Sequence, residues 1–213
     1  MAVRLTIIGS TGGTGQRLTE QALSSGHHVI AVARRPEAVT ARHDRLRVVG
    51  ADVLARSSLT PAVEAADAVI SALGIGYRRH ATTVYSAGTE NVLAAMADAG
   101  VRRLVCVSTA GLTLSGDSSL LHRLVLRHVL HRLLRKPYED MSLMEELVRA
   151  SAADWTIVRA ARLTNGPLTG RYRTRAGANL PGAWSISRAD LASYLLSQVE
   201  DAVAARETVE IAY

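Results

Sequence analysis

The stretch Ile8-Gly9-Ser10-Thr11-Gly12-Gly13-Thr14-Gly15-Gln16 decides the fold. It follows an apolar run at residues 3–8 and opens an amphipathic stretch at 16–24. Glycines at that junction permit a tight turn and let backbone come close to a diphosphate. A helix starting just after them presents unpaired N–H groups and a positive dipole end. The hydroxyls of Ser10, Thr11 and Thr14 add hydrogen-bond capacity. The spacing is G-x-x-G-x-x-G through Gly9, Gly12 and Gly15, with Gly13 as an extra glycine, rather than G-x-G-x-x-G. No lysine follows the glycines, which excludes a P-loop.

Working outward, further apolar runs lie at residues 28–33, 46–49, 68–71, 104–107 and 155–158. They are β-branched and nearly continuous, as expected of strands buried on both faces of a parallel sheet. Amphipathic stretches such as 16–24 and 84–99 separate them, with Gly26 and Gly100 placed as helix stops. Repeated β-α units predict an α/β fold: a Rossmann-type doubly wound parallel sheet with helices on both faces. The last third is less regular. Residues 168–176 and 183–186 read as short strands, and Ser187 with Asp190 reads as the capped start of a helix. We expect this small C-terminal segment to cover the carboxyl edge of the sheet, where substrates bind in such folds. Residues 1–213 are expected to form a single domain.

Successive strand ends trace a dinucleotide path. The second strand ends at Ala33-Arg34-Arg35. An acid there would hold ribose hydroxyls, whereas Arg34 and Arg35 suit a ribose 2′-phosphate. The expected cofactor is therefore NADP(H), with NADPH favoured over NADH. Asp52 and Val53 follow the third strand, near the adenine. Ala72, Leu73 and Gly74 end the fourth. Ser108 and Thr109 end the fifth, near the nicotinamide.

Taken together, these residues resemble the atypical short-chain dehydrogenase/reductases, in particular their NmrA-like and NAD(P)-binding reductase members. The likeness extends over nearly the whole chain. It includes Thr82-Thr83-Val84, Gly88, Asn91, Ala94-Ala95-Met96, Gly100-Val101, Pro167-Leu168-Thr169-Gly170 and Ile186-Ser187-Arg188-Ala189-Asp190-Leu191. It is strongest toward the biliverdin and flavin reductase branch. The resemblance implies NADPH-dependent reduction of flavin-like, tetrapyrrole or quinone-like acceptors. It also implies cofactor contacts from Gly9, Thr11, Gly12, Thr14, Gly15, Arg34, Asp52, Val53, Leu73 and Gly74, and a place for Thr109 beside the nicotinamide. The chain departs from that branch at Arg162 and Met141, where histidines are expected, and at Ala38, where an arginine is expected.

The residues also exclude chemistries. The Tyr-x-x-x-Lys pair of many dehydrogenases lowers a tyrosine pKa for proton exchange with a carbonyl. Lys136 is the sole lysine and Arg132 stands four residues before it, while Tyr138 is followed at that spacing by Ser142. Flavin or quinone reduction demands less: orientation of two flat rings and stabilisation of developing negative charge. Ser108, Thr109 and Arg162 are the catalytic candidates, with Tyr85 and His80 near the acceptor. No G-x-S-x-G elbow occurs. His27-His28 and the His128/His131 pair lack companions at ligand spacing, so no metal is expected. Cys106 sits inside strand five and reads as a buried apolar residue.

The net charge of +6 is carried almost entirely by arginine, in a chain without phenylalanine, which looks like codon bias. No basic-aromatic motif accompanies it, so no nucleic-acid partner is expected. One cysteine and no long apolar run fit a cytoplasmic protein without membrane attachment. The expected partner is a small-molecule acceptor; self-association is left open. Residues 120–136 form a basic amphipathic stretch with three readings: a helix beside the active site, a protein interface, or a membrane-surface helix. A non-catalytic NADP(H) sensor and a tailoring enzyme of secondary metabolism are alternatives on the same scaffold.

Overall fold

A computed structural model describes residues 2–76, 81–112, 120–200 and 206–213, with the side chains of 120–134 and 200 left out. The apolar runs become β1 (Arg4–Ile8), β2 (His28–Ala33), β3 (Leu46–Gly50), β4 (Ala68–Ser71), β5 (Arg103–Thr109) and β6 (Asp154–Ala160). The helices are α1 (Gly13–Ser24), α2 (Arg56–Val63), α3 (Ser86–Ala99), α4 (Leu120–Ala150) and α5 (Arg188–Glu200). Three short strands, β7 (Arg162–Thr164), β8 (Arg173–Ala176) and β9 (Ser185–Ser187), precede α5, and β10 (Glu207–Ala212) ends the chain. The main sheet runs β3-β2-β1-β4-β5-β6-β10-β8, parallel except for β8.

The central strands feed both faces, because successive side chains point to opposite sides. Leu5 and Ile7 of β1 enter a core with Leu18 and Ala22 of α1 and Leu191 and Leu195 of α5. Ile8, with Val69, Leu104 and Cys106, packs against Leu59 of α2 and Val92 and Met96 of α3. This two-sided burial explains why the strands read as unbroken apolar runs. Gly100 closes α3 in the left-handed conformation, φ 71°, as expected of a helix stop.

Differences concentrate in the last third. Only Arg173–Ala176 of the expected 168–176 strand is extended, and it joins the sheet as an antiparallel edge beside β10. The expected 183–186 strand is Ser185–Ser187, paired with β7 in a separate two-stranded sheet. Residues 165–172 are instead tied down by one buried carboxylate. Asp190 accepts from the amides of Thr169 and Gly170, both at 2.8 Å, and from the hydroxyls of Thr169 and Tyr213. Ser187 caps α5 as expected, its Oγ accepting the Asp190 amide at 2.9 Å. Strand β10 and helix α2 have no counterpart in the sequence reading. The basic stretch 120–136 begins α4, which continues through Pro137 to Ala150.

Candidate functional site

The carboxyl ends of β1, β2, β4 and β5 lie side by side, so the residues that follow them meet along one edge. At β1 the chain turns through Gly9 at φ 80°, where an added Cβ would lie 2.5 Å from the Ala72 carbonyl oxygen. A Cβ on Gly15 would lie 2.2 Å from the Gly9 carbonyl oxygen, so helix and turn touch through backbone alone. The Gly12 amide donates back to Gly9 at 3.0 Å and the Gln16 amide to Gly12 at 2.9 Å. The amides of Gly13, Thr14 and Gly15 belong to the first turn of α1, which has no intrahelical acceptors for them. No acidic residue occupies that turn. This cradle of donors and bare backbone fits a dinucleotide diphosphate.

The loop hydroxyls divide. Ser10 is 2% exposed and its Oγ donates to the Val32 carbonyl at 2.8 Å, tying β1 to β2. Thr11 is exposed and Thr14 buried at the helix start. Arg34 and Arg35 are exposed just past β2, and neither forms an ion pair among the described residues. Past β3, Asp52 Oδ1 accepts the Leu54 amide at 3.0 Å, and Asn91 Nδ2 donates to the Val53 carbonyl at 2.9 Å. Gly88 admits Val53, whose Cγ2 lies 3.0 Å from the position of a Cβ there. Ala72, Leu73 and Gly74 follow β4, the first two half-buried and Gly74 exposed.

Ser108 and Thr109 point to opposite faces of β5 and meet different fates. Ser108 is buried and its Oγ donates to Glu145 Oε1 at 2.6 Å. Glu145, on α4, also takes bonds from Arg159 at 2.9 and 2.6 Å and from Arg149 at 2.5 Å. Burial alone would push the Glu145 carboxyl up, but the bonds from Arg159 and Ser108 outweigh it and hold it below its ordinary value. The Ser108 hydroxyl thus donates into a buried network with Glu145 and the two arginines. Cys106, one turn of the pleat away, is fully buried, and burial with the Glu145 charge pushes its thiol up to about 12.

Thr109 is half-buried and hydrogen-bonded to the Tyr138 side chain of α4. The Gly111 amide donates to Thr109 Oγ1 at 3.2 Å, and a Cβ on Gly111 would lie 2.7 Å from the Tyr138 hydroxyl oxygen. Burial raises the Tyr138 phenol, the Thr109 bond opposes the rise, and nearby Tyr85 adds to it. Tyr85 is buried, and its hydroxyl accepts the Ile75 amide at 3.3 Å. Asp140, two residues beyond Tyr138 in α4, accepts the amides of Tyr85 and Ser86 at 3.0 and 3.3 Å and so caps α3. Arg162 is exposed on β7, two residues beyond the register partner of Thr109. A cleft of about 360 Å³ opens beside Tyr138, Leu112, Ser142 and Leu143, but no glycine-loop residue lines it. His80 lies outside the described residues, and the side chains of His128 and His131 are left out with most of those of the basic stretch. His27 is buried and accepts the Val3 amide at 3.3 Å.

Sequence reasoning missed Tyr138, Glu145 and Asp140 as members of this edge. Tyr138 was visible only as a tyrosine without its lysine. Apart from the Arg149 pair at i,i+4, Glu145 and Asp140 carry no local signal, since their other partners lie 14 to 55 residues away.

A family model described as NAD(P)H-binding matches residues 9–202. The oxidoreductase ylbE from Lactococcus lactis superposes with a TM-score of 0.81 at 19% identity, over 98% of this chain and 90% of that one. A short-chain dehydrogenase/reductase from Veillonella parvula in complex with NADP gives 0.78 at 20%, over 100% and 95%. ChuY, an anaerobillin reductase from Escherichia coli O157:H7, gives 0.76 at 22%, over 98% and 96%. The first curated relatives matched are 32% identical over 108 residues, which is 50% of this chain and 12% of theirs. No helix among the described residues is long and apolar enough to cross a membrane.

Proposed function

The chain belongs to the NAD(P)H-binding family, and from that premise we propose that it is an NADPH-dependent reductase of a flat, electron-poor acceptor: a flavin, a tetrapyrrole or a quinone. The observation that carries this reading is the Thr109–Tyr138 hydroxyl pair at the carboxyl end of β5. When bound, the cofactor supplies the hydride. The protein's own contribution is orientation and charge. The glycine loop holds the diphosphate, and Arg34 and Arg35 attract the 2′-phosphate. Tyr138, kept protonated by burial, presents its proton to the acceptor while Thr109 fixes the phenol's direction. Arg162 stabilises negative charge on the acceptor.

The charge of the segment that carries Arg162 favours an anionic acceptor. Residues 161–184 contain four arginines and no aspartate or glutamate. An acceptor that is already electron-poor needs no Tyr-x-x-x-Lys pair, which this chain lacks. The anaerobillin reductase among the structural neighbours shares the fold and lends the tetrapyrrole class weight.

The test is steady-state NADPH oxidation with FMN, riboflavin, biliverdin and quinones as acceptors. Turnover with at least one is expected. Tight nucleotide binding with turnover on none would replace this reading with that of a nucleotide sensor.

A further inference from the structure

Arg188, the first residue of α5, lies against the first residue of α1. A Cβ on Gly13 would fall 2.8 Å from Arg188 Cδ and 2.9 Å from its Nε. A methyl at 13 would push that side chain aside. The guanidinium therefore flanks the positive end of a helix whose first turn holds no acid. A cation beside such an end is repelled unless an anion joins them. Among the described residues no carboxylate pairs with Arg188; its one side-chain bond runs from Nη1 to Asn165 Oδ1 at 2.7 Å. That bond orients the guanidinium and leaves most of its five donors unspent.

We propose that Arg188 is a positioning residue for the cofactor diphosphate, reaching across from the C-terminal segment to close the glycine loop's anion cradle. The proposal rests on the reading of that loop as the diphosphate site. Asn165 aims the side chain, Ser187 and Asp190 fix the start of α5, and the Gln21 side-chain amide donates to the Ala189 carbonyl at 3.0 Å, holding α5 on α1. The diphosphate is common to NADPH and NADH, whereas the 2′-phosphate is not. Arg188 therefore contributes equally to both nucleotides, and Arg34 to one.

The experiment titrates NADPH and NADH into the full chain by fluorescence, for the wild type and for R188A, R188Q, G13A and R34A. Losing a charge-assisted contact weakens binding by about tenfold. R188A is expected to weaken both nucleotides by about that factor. R188Q, which keeps a donor for Asn165, should fold as the wild type and show the same loss. G13A should weaken both, and add little on top of R188A, because the new methyl acts by displacing the arginine. Inorganic pyrophosphate should compete with NADPH on the wild type and less well on R188Q. R188Q binding both nucleotides within twofold of the wild type overturns the proposal; so does a loss confined to NADPH, which would move Arg188 to the 2′-phosphate. A wild type that binds neither nucleotide removes the diphosphate reading itself, a distinguishable result.

Discussion

At the scale of single residues, the adjacent hydroxyls of Ser108 and Thr109 illustrate how strand geometry assigns roles. One residue's offset along β5 sends Ser108 into the Glu145 network and Thr109 toward Tyr138. Tyr138→Phe should keep the fold and nucleotide affinity but lower kcat by about 10²-fold, since a positioned proton donor is worth that much. Ser108→Ala should do the reverse. It leaves Glu145 short of one bond and costs about 1–3 kcal/mol of stability, with kcat per folded molecule unchanged. Urea melts beside single-turnover rates separate the two; a kcat drop in Ser108→Ala without loss of stability would return Ser108 to the chemistry. The same residue-scale logic applies at Arg34. Arg34→Ala should weaken NADPH about tenfold and leave NADH unchanged, read from paired dissociation constants. Equal losses on both nucleotides would mean that the arginine does not meet the 2′-phosphate.

At the scale of elements, α4 is held to the sheet by a buried carboxylate that takes bonds from Arg159 of β6 and Ser108 of β5. Glu145 is 1% exposed, and its bonds hold its carboxyl below the ordinary value near 4.5. A group with a depressed folded-state pKa adds stability above its unfolded pKa and loses it as pH falls through the folded value. The contribution is thus complete at neutral pH and disappears on acidification below about 4.5. Glu145→Gln leaves the mostly buried Arg159 without its counter-charge and should cost about 3 kcal/mol at pH 7. The gap between wild type and variant should shrink as urea melts are repeated at lower pH. A constant gap would show that the carboxylate's charge is not what the helix leans on. This network also marks the limit of what the sequence reveals. The strands and glycine loop are legible because their signals are local: apolar runs, and glycines at a strand–helix junction. Glu145 is an ordinary helical glutamate until β6 brings Arg159 beside it. Strand β10 has alternating β-branched residues, but its place between β6 and β8 comes from pairing distant in sequence. Residues 165–172 look extended because Pro167 and the glycines preclude a helix, yet Asp190, some 20 residues on, sets their path.

At the scale of the whole molecule, the proposed cofactor edge gathers pieces from several elements. The glycine loop, the arginines past β2, the turn after β4 and the end of β5 come from four strands, and α5 packs over α1 behind them. A nucleotide spanning them binds the folded state alone, so it must stabilise the molecule by mass action. At 100 times the dissociation constant the gain is about 2.7 kcal/mol. For a chain of this length that corresponds to a rise in the thermal midpoint of about 5–10 °C. The net charge of +6 adds a long-range attraction for the phosphates, so the rise should diminish as salt is added. At matched millimolar concentrations NADPH should raise the midpoint further than NADH, and Arg34→Ala should bring the two together. Adenosine, which lacks the phosphates, should shift it little. If adenosine shifted the midpoint as far as NADPH does, the phosphates would not be what the carboxyl edge grips, and the roles given to Gly9, Gly15 and the paired arginines would have to be withdrawn together.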